Sequence, residues 1–349
     1  MGKCLVTKLQ GSVNNSNLLK IGEMSIYVRK SNDAQASQYK LGIKTLKDSK
    51  VEIIGDGYFT DEGMVTNKGK IITIPANTIT TLYFSNGDYE AHISNKYDID
   101  TFNLTDDGSS RENFISINLN DLSFSDNLKN VSLTNSKSYG TVESLQGKNI
   151  VSAFLSNTEV VGNAKSINVG SLVALSINAK NISYDLSNLA GTTKLINVRF
   201  ADTYLQTGNL SNLVGNTGLK FFGIIGKGLE GDLSVFSNFT NLTQSVFQNH
   251  SLNLNGNIGK LPDVITYFFN DKTVDFTYSK GSRTVILGCY NVKLSNIDTF
   301  LNDMANLSAP TSILSVYKII LLIGTRTSAS DAAVQTLQSK GYTVSVTPA

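Results

Sequence analysis

Seven apolar residues, Leu128, Ile150, Leu172, Leu195, Leu219, Leu242 and Ile265, follow one another at intervals of 22, 22, 23, 24, 23 and 23 residues. Three positions beyond each stand Val131, Ala153, Leu175, Val198, Phe222, Ser245 and Phe268. Five beyond stand Leu133, Leu155, Ile177, Phe200, Ile224, Phe247 and Asn270. The phrase apolar-x-x-apolar-x-apolar is broken only at Ser245 and Asn270. Its closing alternation has the period of two that a strand with one buried face requires. A single such strand cannot cover its own apolar side, whereas a stack of copies displaced by one period buries it continuously. Each fully buried Leu, Val or Phe contributes roughly 1.5 to 3 kcal/mol, which must offset the entropy of ordering the Gly- and Asn-rich segment between strands. No unit is expected to fold alone.

The segment between strands is itself written twice. GNLSNLVGNTGL begins at Gly208 and GDLSVFSNFTNL at Gly231, 23 residues later. Here Gly208 and Gly231 are expected to supply a backbone conformation that a residue with Cβ resists, and Leu210 and Leu233 to point inward. The pattern Leu195-x-x-Val198-x-Phe200, followed by this return limb, resembles the leucine-rich repeat. From about Phe114 to Leu307 the phrasing is similar to leucine-rich repeat proteins encoded by bacteriophages and prophages of gut Bacteroidales. At the two ends, MGKCLVTKL with NNSNLLKIGEM, and IGTRTSASDAAVQTLQSKGYTV, are similar to phrases of virion-associated proteins of those phages.

The resemblance implies a mainly β, leucine-rich-repeat-like solenoid with 22–24-residue repeats and short helical turns. One departure is visible: the Asn that follows the third apolar position in the family is irregular here, where Thr134, Ser156, Asn178 and Ala201 stand. A right-handed parallel β-helix, whose coils have similar length but three strands each, is the alternative winding. One clear strand per period favours the leucine-rich form.

The period organises residues 112–312. Upstream, over 1–111, it vanishes, and CLVTKL, MSIYVRK and VEIIGDGYF read as short strands of a small, separate, mostly β domain that caps the stack or attaches it to a larger assembly. KIITIPANTITTLYFSNGDYEAHIS, with its Ser85-Asn86-Gly87-Asp88 turn, reads as a β-hairpin. Over 313–349 a strand-helix-strand cap is expected: Ile319 to Ile323, then Ser328 to Gly341 with Ser330 as N-cap, Asp331 in the first turn and Gly341 as the left-handed stop, then Tyr342 to Val346.

Reactive groups are few. The two histidines, His92 and His250, and the two cysteines, Cys4 and Cys289, lie far apart in sequence; no catalytic triad, metal knuckle or redox pair can be assembled from them. The glycines of GDGYFTDEG lack phosphate-loop spacing. Asp98, Asp100, Asp106 and Asp107 form an acidic run that reads as a solvated linker in preference to a cation loop, since its spacing is not that of a calcium motif. The expectation is therefore no catalytic residue, no metal and no cofactor: not an enzyme.

The net charge of +2, with 30 basic and 28 acidic residues spread along 349, gives no attraction for nucleic acid. YKIILLIG is far short of the roughly 20 apolar residues of a membrane span, and the opening residues lack the apolar run of a secretory signal. Function is sought instead on the face that the strands turn away from the core. Its columns run Asn130, Ser152, Ala174, Asn197, Phe221, Gln244, Tyr267 and Ser132, Phe154, Ser176, Arg199, Gly223, Val246, Phe269, polar early and aromatic late.

A face meant for water does not gather aromatics; either it is covered by the C-terminal segment or a neighbouring chain, or it binds. Phe154, Arg199, Phe221, Val246, Tyr267 and Phe269 are the candidate binding residues on this concave face. The expected function is a virion structural or adhesion protein (fibre, decoration or tail-associated), whose partners are other virion proteins or a host-surface receptor or glycan. Self-association of copies is left open. A bacterial cell-surface adhesin and a polysaccharide-degrading tailspike-like enzyme are the alternatives.

Overall fold

The computed structural model of the protein describes residues 22–29, 39–62, 66–106, 115–203, 206–226, 228–249, 253–269, 275–311 and 317–349. At Tyr39, Asp106, Gln206, Phe269 and residues 201–203, 224–226 and 244–249 only the backbone is described. The chain is mostly β, with few helices and several parallel sheets.

The first strands are β1 (Met24–Val28), β2 (Tyr39–Thr45), β3 (Ser49–Ile54), β4 (Phe59–Thr60), β5 (Ile71–Ile74), β6 (Thr80–Phe84), β7 (Tyr89–Ile93), β8 (Ile99–Asp106) and β9 (Ile115–Ile117). Strands β5-β3-β7-β1-β9 make one antiparallel sheet, while β8-β2-β6-β4 belong to another. The hairpin expected around Ser85 to Asp88 is a crossing between these sheets: β6 pairs with β2 and β4, and β7 with β1 and β3. Phe84 and Tyr89, on either side of the turn, are both buried, and the Tyr89 hydroxyl donates to Ser85 O at 2.6 Å. Each strand thus keeps its apolar side chain in the core by joining a different layer. The segment CLVTKL lies outside the described residues.

The periodic region contributes β10 (Asn130–Thr134), β11 (Ser152–Ser156), β12 (Gly162–Asn163), β13 (Ala174–Asn178), β14 (Ile182–Asp185), β15 (Asn197–Thr203), β16 (Gln206–Asn209), β17 (Phe221–Gly226), β18 (Leu229–Asp232), β19 (Gln244–Asn249) and β20 (Asn253–Asn255). Strands β10, β11, β13, β15, β17 and β19 are parallel neighbours in one ten-stranded sheet. Val131, Ala153, Leu175, Val198, Phe222 and Ser245 stand opposite one another across its ladders. Leu128, Ile150, Leu172, Leu195 and Leu219 are fully buried, Ile265 is buried, and Leu242 is partly so.

Five of the periods carry two strands where one was expected, because β12, β14, β16, β18 and β20 form a second parallel sheet, whereas after β10 only isolated bridges at Tyr139 and Thr141 are present. Those strands span only two to four residues and are rich in Gly and Asx, which reads as turn in sequence. Short 3-10 turns follow them, among them Leu186–Leu189, Leu210–Leu213, Leu233–Asn238 and Ile258–Lys260. Each is capped by the side chain of the preceding Asp or Asn, which accepts from the amide two residues on: Asp185 from Ser187 at 2.8 Å, Asn209 from Ser211 at 2.9 Å, Asp232 from Ser234 at 2.7 Å, Asn257 from Gly259 at 2.9 Å. Gly208 and Gly231 have φ of +109° and +125°, and Leu210 and Leu233 are fully buried, as the phrase implied.

The long sheet spans the boundary expected near residue 111. Strand β8 is antiparallel to β2 and parallel to β10, with Phe102 opposite Val131 and Leu104 opposite Leu133. Strand β9 hands its ladder on as well: Lys137 and Tyr139 amides donate to Ile115 O and Ile117 O, and the bridge Thr141–Val161 leads on to β12. One N-terminal sheet therefore continues as the long sheet, and the other is followed by backbone bridges toward β12, over one core.

The chain closes with β21 (Tyr267–Phe269), β22 (Asp275–Phe276), β23 (Gly288–Leu294), α1 (Ile297–Ala305), β24 (Ile319–Ile323), α2 (Asp331–Ser339) and β25 (Thr343–Thr347). Strands β21-β23-β24-β25 are parallel, with the helices as crossovers. The strand-helix-strand expected after residue 318 is present, and Gly341 ends α2 at φ +85°. Helix α1 was not expected; Ile297, Phe300, Leu301 and Met304 bury its inner face at helical spacing. Ser330 precedes α2, but its hydroxyl donates to Asp298 Oδ1 at 2.5 Å instead of capping the helix.

Candidate functional site: the outward face of the long sheet

Where side chains of the long-sheet strands are described, alternate ones enter the core, so the residues between them share the opposite face by the geometry of the pleat. Toward β8 this face is a polar lattice. Asn130 Nδ2 donates to Thr101 Oγ1 at 3.2 Å, Ser152 Oγ to Asn130 Oδ1 at 2.8 Å, and Thr101 Oγ1 to Asp100 Oδ1 at 2.9 Å. Asp100, 3 % exposed, lies 3.4 Å from Lys44 Nζ and 3.2 Å from Lys129 Nζ. Burial alone would raise its pKa; the Thr101 hydrogen bond and the two lysines outweigh it and hold the carboxyl below its ordinary range.

The acidic run is thus a strand and its approach instead of a linker. Asp98 is bound by Asn95 at 2.6 Å and by Lys47 at 3.1 Å. The Asp106 side chain and Asp107 lie outside what is described. Among the described residues no three His, Cys, Asp or Glu converge as metal ligands.

Farther along the sheet the character changes. Phe154 is half-buried on β11 and Arg199 exposed on β15. Arg199 stands opposite Ser176 on one side and Gly223 on the other. Gly223 makes room there: a Cβ would lie 2.9 Å from the Phe221 ring and 3.4 Å from Arg199 Cγ. The Phe221 ring therefore folds back over its own strand, and the Arg199 stem runs beside the same glycine. Val246 is backbone-paired to Gly223; its side chain, like that of Phe269, is outside the described set.

Tyr267 repeats the arrangement one sheet on. It pairs with Gly288, where a Cβ would meet the Tyr267 ring at 3.0 Å and Tyr317 O at 2.6 Å. The Tyr317 ring, just before β24, lies 4.8 Å from that of Tyr267, centroid to centroid. Burial, then the neighbouring Cys289, Tyr290 and Tyr317, push the Tyr267 phenol up to about 12. Tyr317, in the C-terminal segment, thus lies against Tyr267.

Gly288 and Tyr317 were missed in sequence. Ile286 stands 21 residues after Ile265 and Cys289 three beyond, so the period does reach Gly288. It is then interrupted by Asn291, at φ +55° within β23, where the ladder to β24 shifts register.

His92 takes no part in this face. His92 lies on β7, 3.1 Å from Glu90 and 3.8 Å from Glu23, and His250 is outside the described residues. Cys289 is fully buried, and burial pushes its thiol up to about 12; Cys4 is likewise outside. No described helix is long and apolar enough to cross a membrane.

No protein-family model matches the chain, and no curated protein matches it. Among solved structures, an internalin from Listeria monocytogenes aligns over 72 % of this chain and 82 % of its own, at 12 % identity and a TM-score of 0.37.

Proposed function

We propose that this protein is a non-enzymatic, leucine-rich-repeat-like solenoid that acts as an adhesive virion component, holding a host-surface glycan or protein against the outward face of its long sheet. The observation that carries this is the Phe221 ring lying over Gly223 beside the Arg199 stem, on a face whose earlier strands carry mainly amide and hydroxyl groups. Aromatic planes flanked by amides and a guanidinium suit sugar rings, through stacking and hydrogen bonds, and suit protein anchors equally. Two strands and a 3-10 turn in most periods support a leucine-rich winding over a coil of three strands. The virion assignment rests on the phrases at the two ends of the chain, of which residues 1–21 are outside the described part.

The test is binding to intact host cells and to a glycan array by wild type, Arg199→Ala and Phe221→Ala. Loss in both variants with unchanged melting is expected; retained binding would discard this face. Portal, capsid or tail genes beside this one are expected, and genes for a cell-wall anchor in their place would overturn the virion assignment.

A further inference from the structure

The outermost strand of the C-terminal sheet is β25, and among the described residues no strand pairs with its far side. The Thr343 N–H donates to Lys318 O, and Thr347 O accepts from the Gly324 N–H. In a parallel ladder this turns the backbone groups of Thr343, Ser345 and Thr347 inward and those of Val344 and Val346 outward. The two valine side chains lie half-buried beside Val334 of α2. With Gly324, Arg326 and Pro348 they line a cavity of about 370 Å³ along the edge.

Sheet edges are ordinarily blunted by lysine, proline or a bulge within the strand. Strand β25 has none of these, and its sequence, Thr-Val-Ser-Val-Thr, reads the same in both directions. A twofold interface needs a surface complementary to itself, and an antiparallel pair of such strands provides one. The register is set by the available donors. Pro348 has no N–H, and the Tyr342 N–H already donates to Leu337 O at 3.1 Å, so Val344 and Val346 are left to pair with each other across the axis.

We propose that β25 pairs antiparallel with β25 of a second copy about a twofold axis at Ser345. Val344 then faces Val346 of the partner subunit, and every outward amide and carbonyl of the two valines is satisfied. Their side chains fall on the helix side of the joined sheet, where the two copies close each other's cavity. The Ser345 side chains meet at the axis on the opposite side. This surface is separate from the Phe221 face and stands or falls independently of it.

The experiment is sedimentation and light scattering of the full chain over a concentration series. A dimer is expected. Ser345→Lys sets two ammonium groups face to face and should weaken association by roughly fivefold or more, as should Ser345→Glu, with melting unchanged since Ser345 is exposed. Mixing the two variants should restore a heterodimer, which misfolded protein would not do. Val346→Pro, which removes one outward donor per copy, should act likewise. A wild type that stays monomeric, or a Ser345→Lys variant that dimerises like wild type, overturns the proposal.

Discussion

Gly231 sits directly against Asn209 of the preceding period: a Cβ on Gly231 would come within 2.6 Å of Asn209 Oδ1, the oxygen that accepts the Ser211 amide at 2.9 Å and opens the 3-10 turn Leu210–Leu213. Gly256 bears the same relation to Asp232 at 2.7 Å, and Gly208 to Asp185 at 3.0 Å. The repeated Gly-Asx phrase is therefore a contact between neighbours. Each Asx caps its own turn while the next glycine lies on top of that cap.

Gly231→Ala is expected to destabilise the protein by about 1–3 kcal/mol, from the positive φ together with the crowding of a cap. Gly215→Ala serves as the control, since a Cβ there meets nothing within 4 Å, and should be neutral or slightly stabilising. Denaturant midpoints of the two variants would show it, and equal losses would refute the cap contact.

Leu195→Ala and Leu219→Ala should each cost roughly 2 to 5 kcal/mol, because both side chains are fully enclosed and the sheets around them cannot collapse freely. Leu242→Ala, at a partly buried site in the same column, should cost less. Thermal melts would order the three variants.

The column just named is legible in the sequence, because an interior row admits only apolar residues and therefore prints its period there. Other features left weaker marks. Strand β14 consists of Ile-Ser-Tyr-Asp, too short to show alternation. Helix α1 repeats Ile297, Phe300, Leu301 and Met304 at spacings that were absorbed into the longer period. The Ser85 to Asp88 turn has hairpin chemistry, yet the choice between returning to the same sheet and crossing to another is made by what Phe84 and Tyr89 bury, which no local signal encodes. On the binding face, Phe221 and Arg199 could be placed in one region from the period, whereas the folding of the ring over Gly223 could not.

Acid should act on the C-terminal crossovers through Asp298. Its carboxylate accepts from Ser330 Oγ at 2.5 Å and from Thr327 Oγ1 at 2.6 Å, and these bonds, that of Ser330 foremost, hold its pKa below the ordinary carboxylate value. A group more acidic in the folded than in the unfolded state adds stability above its unfolded pKa of about 4, and that stability is lost as pH falls through the lower folded value. Asp298→Asn should be less stable by about 1–2 kcal/mol at neutral pH, and its stability should change less with pH below about 4. Urea titrations at a series of pH values measure both.

Cys289, enclosed and with its thiol pushed up to about 12, should resist alkylation in the native protein and react only as the sheet opens. Iodoacetamide labelling followed by peptide mapping separates it from Cys4. Rapid native labelling of Cys289 would contradict its enclosure.

The ladders of the long sheet give the molecule an arithmetic of length. From β10 to β19 each strand bonds only the one before and the one after, in unshifted register apart from one irregularity between β15 and β17. Inserting or deleting one whole 23-residue unit would move the termini by a single step of about 4.8 Å and leave the remaining ladders as they are. Reach can therefore be inherited in integer increments, and a lineage could lengthen or shorten this protein without redesigning either end.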